Sequence, residues 1–197
     1  MLQSVTKPDV IEERKIWNEN LLNYDVNKLI FLDESGVNIN MTRIYGWAMG
    51  GNRVVDNAPI NTPTNTTILS SIRLNGQTAY TTYSGGTTGE KFVEYLKNIL
   101  FPTLDKGDIV IMDNMMRSHH IKAVAEAANE AQITILYLPP YSPDLNPIEK
   151  MWSKIKSILR KITVRTLADL PNTIKQAFQK VSVSDCKGWF KSSVASC

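Results

Sequence analysis

The sequence predicts an α/β fold, a mixed sheet with helices packed on its faces. Three observations lead there. KLIFL, DIVIM and ITILYL are short, continuous apolar runs, the pattern of strands covered on both faces. Residues 66–73 and 77–83 are β-branched runs joined by Leu74-Asn75-Gly76, and Asn-Gly is a strong hairpin signal. The later strands alternate with helical patterns, so antiparallel strands come first and βαβ units follow.

Taken in order, residues 8–24 form a polar helix leading into the domain. Lys28–Ser35 reads as a buried strand ending in acids. Residues 43–56 hold two Gly-rich turns and the apolar pair Val54-Val55, which predicts a hairpin or a bulged strand. Residues 57–65 are a Pro/Asn/Thr loop, followed by the hairpin. From Thr88 to Leu100 the spacing of Phe92, Leu96, Ile99 and Leu100 is helical, and Pro102 ends it. Residues 108–113 are a strand stopped by Asp113, 119–131 an Ala-rich helix and 133–138 a strand. PPYSPDLNP, with four prolines in nine residues, must be extended and stiff. A helix over 147–162 carries the apolar stripe Ile148, Trp152, Ile155, Leu159, Ile162. Two short helices, 166–180 and 185–194, close the chain.

A length of 197 residues suits one sizeable core with a small appendage. The expected division is a lead-in helix and linker over 1–27, the main domain over 28–163, and a helical segment over 164–197 packed on it. With 43% hydrophobic and 21% charged residues the composition is that of a globular protein. No run approaches the roughly 18 apolar residues of a membrane span, and the N-terminus has no apolar signal region. A cytoplasmic location is expected. Cys186 and Cys197 suit a reducing compartment. Net charge is +3, but Lys150, Lys154, Lys156, Arg160 and Lys161 form a run without an acid among them. Such a run is either a solvated helix face or a surface that follows a phosphate backbone.

Two buried strands end at an acid, Asp33 after IFL and Asp113 after IVIM. Sites in open α/β sheets lie at the carboxyl ends of strands. Neighbouring carboxylates there repel, and a hard divalent cation between them turns the repulsion into binding. A single acid at a strand end is more often a turn residue; the pair favours a site. Glu149 has two readings. With Asn146 as N-cap and Pro147 at the first helical position it completes a capping box, worth roughly 1 kcal/mol. It also opens a helix face that continues through Ser153, Lys156 and Arg160, and basic residues beside a metal site suit a phosphodiester. Trp152 reads as core. Trp17, Trp47 and Trp189 read as packing residues, with base stacking the alternative. His119 and His120 are the only histidines, too few for a zinc site.

FLDESG around Asp33, VIMDN around Asp113 and YLPPYSPDLNPIEKMWSKIK around Glu149 resemble the bacterial insertion-sequence transposases of the mariner superfamily, within the DDE group. TRIYGWAMGGNRV fits that family's Arg-x-x-Gly-x-Ala-x-x-Gly stretch. The resemblance runs from about Lys7 to about Phe190 and implies a ribonuclease-H-like fold, a five-stranded mixed sheet with helices on both faces. It implies DNA strand cleavage and strand transfer with Asp33, Asp113 and Glu149 as catalytic metal ligands for two Mg2+ or Mn2+ ions. Asn114, Arg117, His119, Lys150, Lys154, Lys156 and Arg160 become the candidate DNA contacts. The implied partners are double-stranded DNA, as element ends and target, and a second copy in a homodimer. Two departures stand out. Residues 114–148 number 35, one more than is usual, with Met115-Met116 the apparent insertion. Only 32 residues precede Asp33, too few for the family's helix-turn-helix region, so the sequence reads as the catalytic half alone: a second reading frame with that part on a separate chain, a truncated copy or a trimmed piece. The alternatives are an inactive remnant that binds DNA or full-length transposase, and a related nuclease that hydrolyses without strand transfer.

Overall fold

The structure is a computed structural model that describes residues 7–55, 57, 64–113 and 121–194. Five strands form one sheet: β1 (Leu29–Val37), β2 (Thr66–Arg73), β3 (Thr78–Ser84), β4 (Ile109–Met112) and β5 (Thr134–Tyr137), in the order β3-β2-β1-β4-β5. β1, β2 and β3 pair antiparallel, whereas β1, β4 and β5 pair parallel. The hairpin expected at Asn75-Gly76 is present, with Gly76 at φ +87°, a conformation that favours glycine. The helices are α1 (Pro8–Leu21), α2 (Gly89–Tyr95, extended by a wider π turn over Leu96–Leu100), α3 (Ile121–Ala131), α4 (Ile148–Ile162), α5 (Leu170–Phe178) and α6 (Val183–Ser193).

Alternation along the central strands sends side chains to two cores. Leu29 and Phe31 of β1, with Ile109 and Ile111 of β4, meet α4, α5 and α6 through Met151, Trp152, Ile155, Ile174 and Phe190. Ile30 and Leu32, with Val110 and Met112, meet Phe92, Leu96 and Val124 on the other face. Fully apolar runs on β1 and β4 follow directly from this double coverage. The C-terminal helices are tied in by aromatic contacts: Phe31 meets Phe190 edge-to-face at 5.4 Å, and Tyr80 stacks on Phe178 at 4.0 Å. On the N-terminal side, Arg14 of α1 grips the Pro-rich loop, donating to Ser142 Oγ at 2.7 Å and to both carboxylate oxygens of Asp144. Among the described residues, no helix is long and apolar enough to cross a membrane.

Two expectations need correction. Strand β1 does not stop at Asp33 but runs on to Val37, because β2 pairs with it over its whole second half. The segment 43–55 has no strand among its described residues. It folds back without a ladder, turning at Met49–Gly51 with Gly50 and Gly51 both at positive φ. Its two legs meet so closely at Gly46 that a Cβ there would lie 2.6 Å from Val54 Cγ1. Apolar side chains on this arm, Ile44, Tyr45, Trp47 and Val55, point outward. Trp47 is fully exposed and does not pack, unlike Trp17 and Trp189, which lie partly buried against the core.

Candidate active site

Parallel pairing of β1 with β4 ends at Leu32 opposite Met112. One residue further on, Asp33 and Asp113 leave the ladder side by side, on strands about 4.8 Å apart. By alternation both point to the face of Phe31 and Ile111, the face on which α4 lies. Helix α4 carries Glu149 in its first turn. The strand pair and the helix thus direct three acids to one end of the sheet, although 35 residues separate Asp113 from Glu149.

The acids feel one another. Burial raises the Asp33 carboxyl to about 7, and the charges of Glu149 and Asp113 push the same way; the Glu34 amide and the Trp152 indole, which hydrogen-bond the carboxylate, oppose them. Glu149 is raised as well, by burial and by the Asp113 charge, with Lys156 acting against both. The charged neighbours of Asp33 are therefore themselves acids. An all-oxygen donor set with unrelieved repulsion fits a hard divalent cation. Among the described residues no three His, Cys, Asp or Glu side chains are already gathered as an ion-binding group.

Trp152 does more than fill the core. Its Nε1–H donates to Asp33 Oδ2 at 3.0 Å while its ring lies edge-on to Phe178. The residue one helical turn after Glu149 thereby fixes the acid on β1. Sequence reasoning saw only the apolar stripe; the available signal was the i, i+3 spacing from Glu149. The capping box predicted around Glu149 does not form: α4 begins after Pro147 without a side-chain cap, and the Asn146 N–H donates to the Pro143 carbonyl. Asn146 is turned inward, and its Oδ1 is buried without a hydrogen-bond partner.

Geometry divides the basic run. Lys150 donates to Ser192 and Ser193, and Lys154 pairs with Asp185, so α6 occupies both. Lys156 faces Glu149, and Arg160 lines a cleft further along the same side of α4. Asn114, Arg117 and His119 lie outside the described residues, as does the Met115-Met116 insertion.

Comparison with known proteins was made on this frame. The family model described as DDE superfamily endonuclease matches residues 28–171. No curated protein matches the chain. Among solved structures, the Mos1 transposase paired-end complex with left transposon end is similar at TM-score 0.78 and 18% identity, over 96% of this chain and 60% of that one. A pre-cleavage Mos1 transpososome is similar at TM-score 0.78 and 17% identity, over 96% and 61%. The Mos1 transposase catalytic domain with Raltegravir and Mg is similar at TM-score 0.69 and 15% identity, over 96% and 92%. The ribonuclease-H-like fold is borne out by these likenesses. The chain spans about 60% of the length of the Mos1 chains in the DNA complexes.

Proposed function

The chain belongs to the DDE superfamily of endonucleases, and on that premise we propose that Asp33, Asp113 and Glu149 hold two Mg2+ or Mn2+ ions and that the protein cuts DNA and joins the freed 3′ ends to a target. The observation that carries this reading is that Asp33, within β1, and Asp113, just past β4, stand one position beyond the end of the parallel β1–β4 ladder, on the face where α4 brings Glu149. The ions would supply charge stabilisation to the attacking and leaving oxygens of an in-line displacement at phosphorus.

The protein's own residues hold and orient. The Trp152 indole and the Glu34 amide orient the Asp33 carboxylate, which would contribute an oxygen to the ions. Asp113, one position past β4, shares that side. Glu149 is held by the first turn of α4, whose loop is braced from outside by Arg14 on Asp144. Lys156, already within the field of Glu149, offers a phosphate contact beside the acids. No side chain forms a covalent intermediate. Metal use fits the Mos1 neighbours, whose structures include complexes with Mn and with Mg. DNA as substrate, a homodimer on paired ends and a cytoplasmic location belong to the same proposal.

Two assays test it. In Mg2+, the protein should nick supercoiled plasmid, and with pre-cut ends it should join them to a target. Nicking without joining would identify a hydrolytic nuclease. DNA binding with neither activity would identify an inactive remnant.

A further inference from the structure

Glu149, Ser153, Ser157 and Lys161 follow one another at four-residue intervals and form a single row along α4. The last three of them, with Arg160, form one wall of a cleft of about 580 Å³ whose opposite wall is Arg43 and Tyr45 of the arm. The lining contains three cations and no acid. None of the three has an ion-pair partner among the described residues. The far wall is held in place. Arg165, just beyond α4, donates from Nη1 to the carbonyls of Ile39 and Met41 at 3.0 and 3.2 Å, and both of those side chains pack on the core. The close approach of Gly46 to Val54 then braces the arm itself.

We propose that this cleft receives the DNA strand running out of the acid site, with its phosphates on Arg43, Arg160 and Lys161 and an unpaired base against Tyr45. This rests on the reading of the acids as a DNA-cleaving site. At about 1.5 Å per residue the row from Glu149 to Lys161 spans roughly 18 Å. For a strand that stays stacked at about 3.4 Å per nucleotide, that places Lys161 around five nucleotides from the scissile phosphate. Three cations without an ion-pair partner among the described residues match a phosphate track, and an exposed ring on the wall matches the stacking by which proteins hold single strands. Ser153 and Ser157 between them add hydroxyl donors and keep the floor narrow.

The test is binding, read separately from cleavage. The full chain, without divalent metal, is titrated against a fluorescent blunt duplex and the same duplex carrying an eight-nucleotide single-stranded extension, at several salt concentrations. Replacing Arg43, Arg160 and Lys161 together by Ala should weaken binding of the extended duplex and flatten its salt dependence by about 0.7 per cation in logarithmic slope. Tyr45→Ala should weaken the extended duplex by roughly tenfold and leave the blunt duplex unchanged. Binding is read without divalent metal and nicking with it, so failure of the acid-site reading is not confused with loss of the cleft. Unchanged affinity and slope in the triple variant would overturn the proposal. So would an effect confined to self-association in sedimentation, which would make the cleft a contact between protein copies.

Discussion

The two ends of the β1–β4 strand pair each carry buried or half-buried acid, and they treat it in opposite ways. At the start of β4, Asp108 is wholly buried and met by cations. Arg73 Nη2 lies 2.6 Å from its Oδ2, and Lys28 Nζ lies 3.7 Å from its Oδ1. At the other end, Asp33 has an indole N–H as its side-chain partner and two carboxylates as its charged neighbours. The first end neutralises a charge within the protein and serves the fold. The second gathers acids on one side of the sheet, with Lys156 acting against them at Glu149, and on the proposed reading a divalent cation balances them. Burial alone therefore does not distinguish the two acids; what surrounds each does.

The largest stability effect should come from breaking the matched end. Arg73→Met would leave Asp108 buried without its closest cation, at a cost of about 3–5 kcal/mol in chemical denaturation. Adding Asp108→Leu to that variant should restore most of the loss. A small loss in Arg73→Met would show that the two ends are less different than described. Next comes Trp152→Phe, which keeps an aromatic ring but loses the pyrrole edge and its bond to Asp33. A hydrogen bond to a charged group contributes about 1.5–3 kcal/mol, so cleavage should fall roughly 10- to 100-fold with a higher Mg2+ requirement, in a protein that melts lower for the lost buried volume but is fully folded at the assay temperature. An equal loss of stability and activity would reduce Trp152 to packing.

A third acid sharpens the contrast through pH. The Lys154 ammonium, joined by Ser182, holds Asp185 down at about 2, and Asp185 also completes the capping box of α6. Because its folded value lies below the ordinary 3.8, its contribution is present above about pH 4 and is lost as pH falls towards 2. Asp185→Asn should cost about 1 kcal/mol at pH 7, and melting curves of the two proteins should converge near pH 2. Asp33 is raised instead, so its ionised form is the costly one. Asp33→Asn is therefore not expected to destabilise the metal-free protein at pH 8.

Strands β1 and β4 were legible because IFL and IVIM are buried on both faces, and such burial leaves uninterrupted apolar runs; β5, at the sheet edge, is only partly buried but carries the same apolar pattern. The full length of β1 was not, because its pairing with β2 is decided 30 to 40 residues away. The arm at 43–55 shows the same limit. Its turns were marked by glycine, but a ladder needs a partner strand, and none lies beside it among the described residues. At the site, Asp33 and Asp113 could be placed at strand positions from local sequence, and Glu149 only as one of two readings. The capping reading weakened because Asn146 turns inward, a consequence of packing that local sequence does not carry. The run from Lys150 to Lys161 read as one basic surface. A helical period and the seating of α6 split it, and the bond from Trp152 to Asp33 spans 119 residues.

The central claim is that Asp33 on β1, Asp113 just past β4 and Glu149 on α4 form a metal-dependent cleavage site and not structural charge. Asp33→Asn tests it most directly, assayed for nicking of supercoiled DNA in Mg2+ and in Mn2+ beside its own melting curve. The account predicts activity reduced at least 100-fold in a protein that melts no lower than the wild type. An Asp33→Asn protein that nicks DNA at the wild-type rate would contradict it.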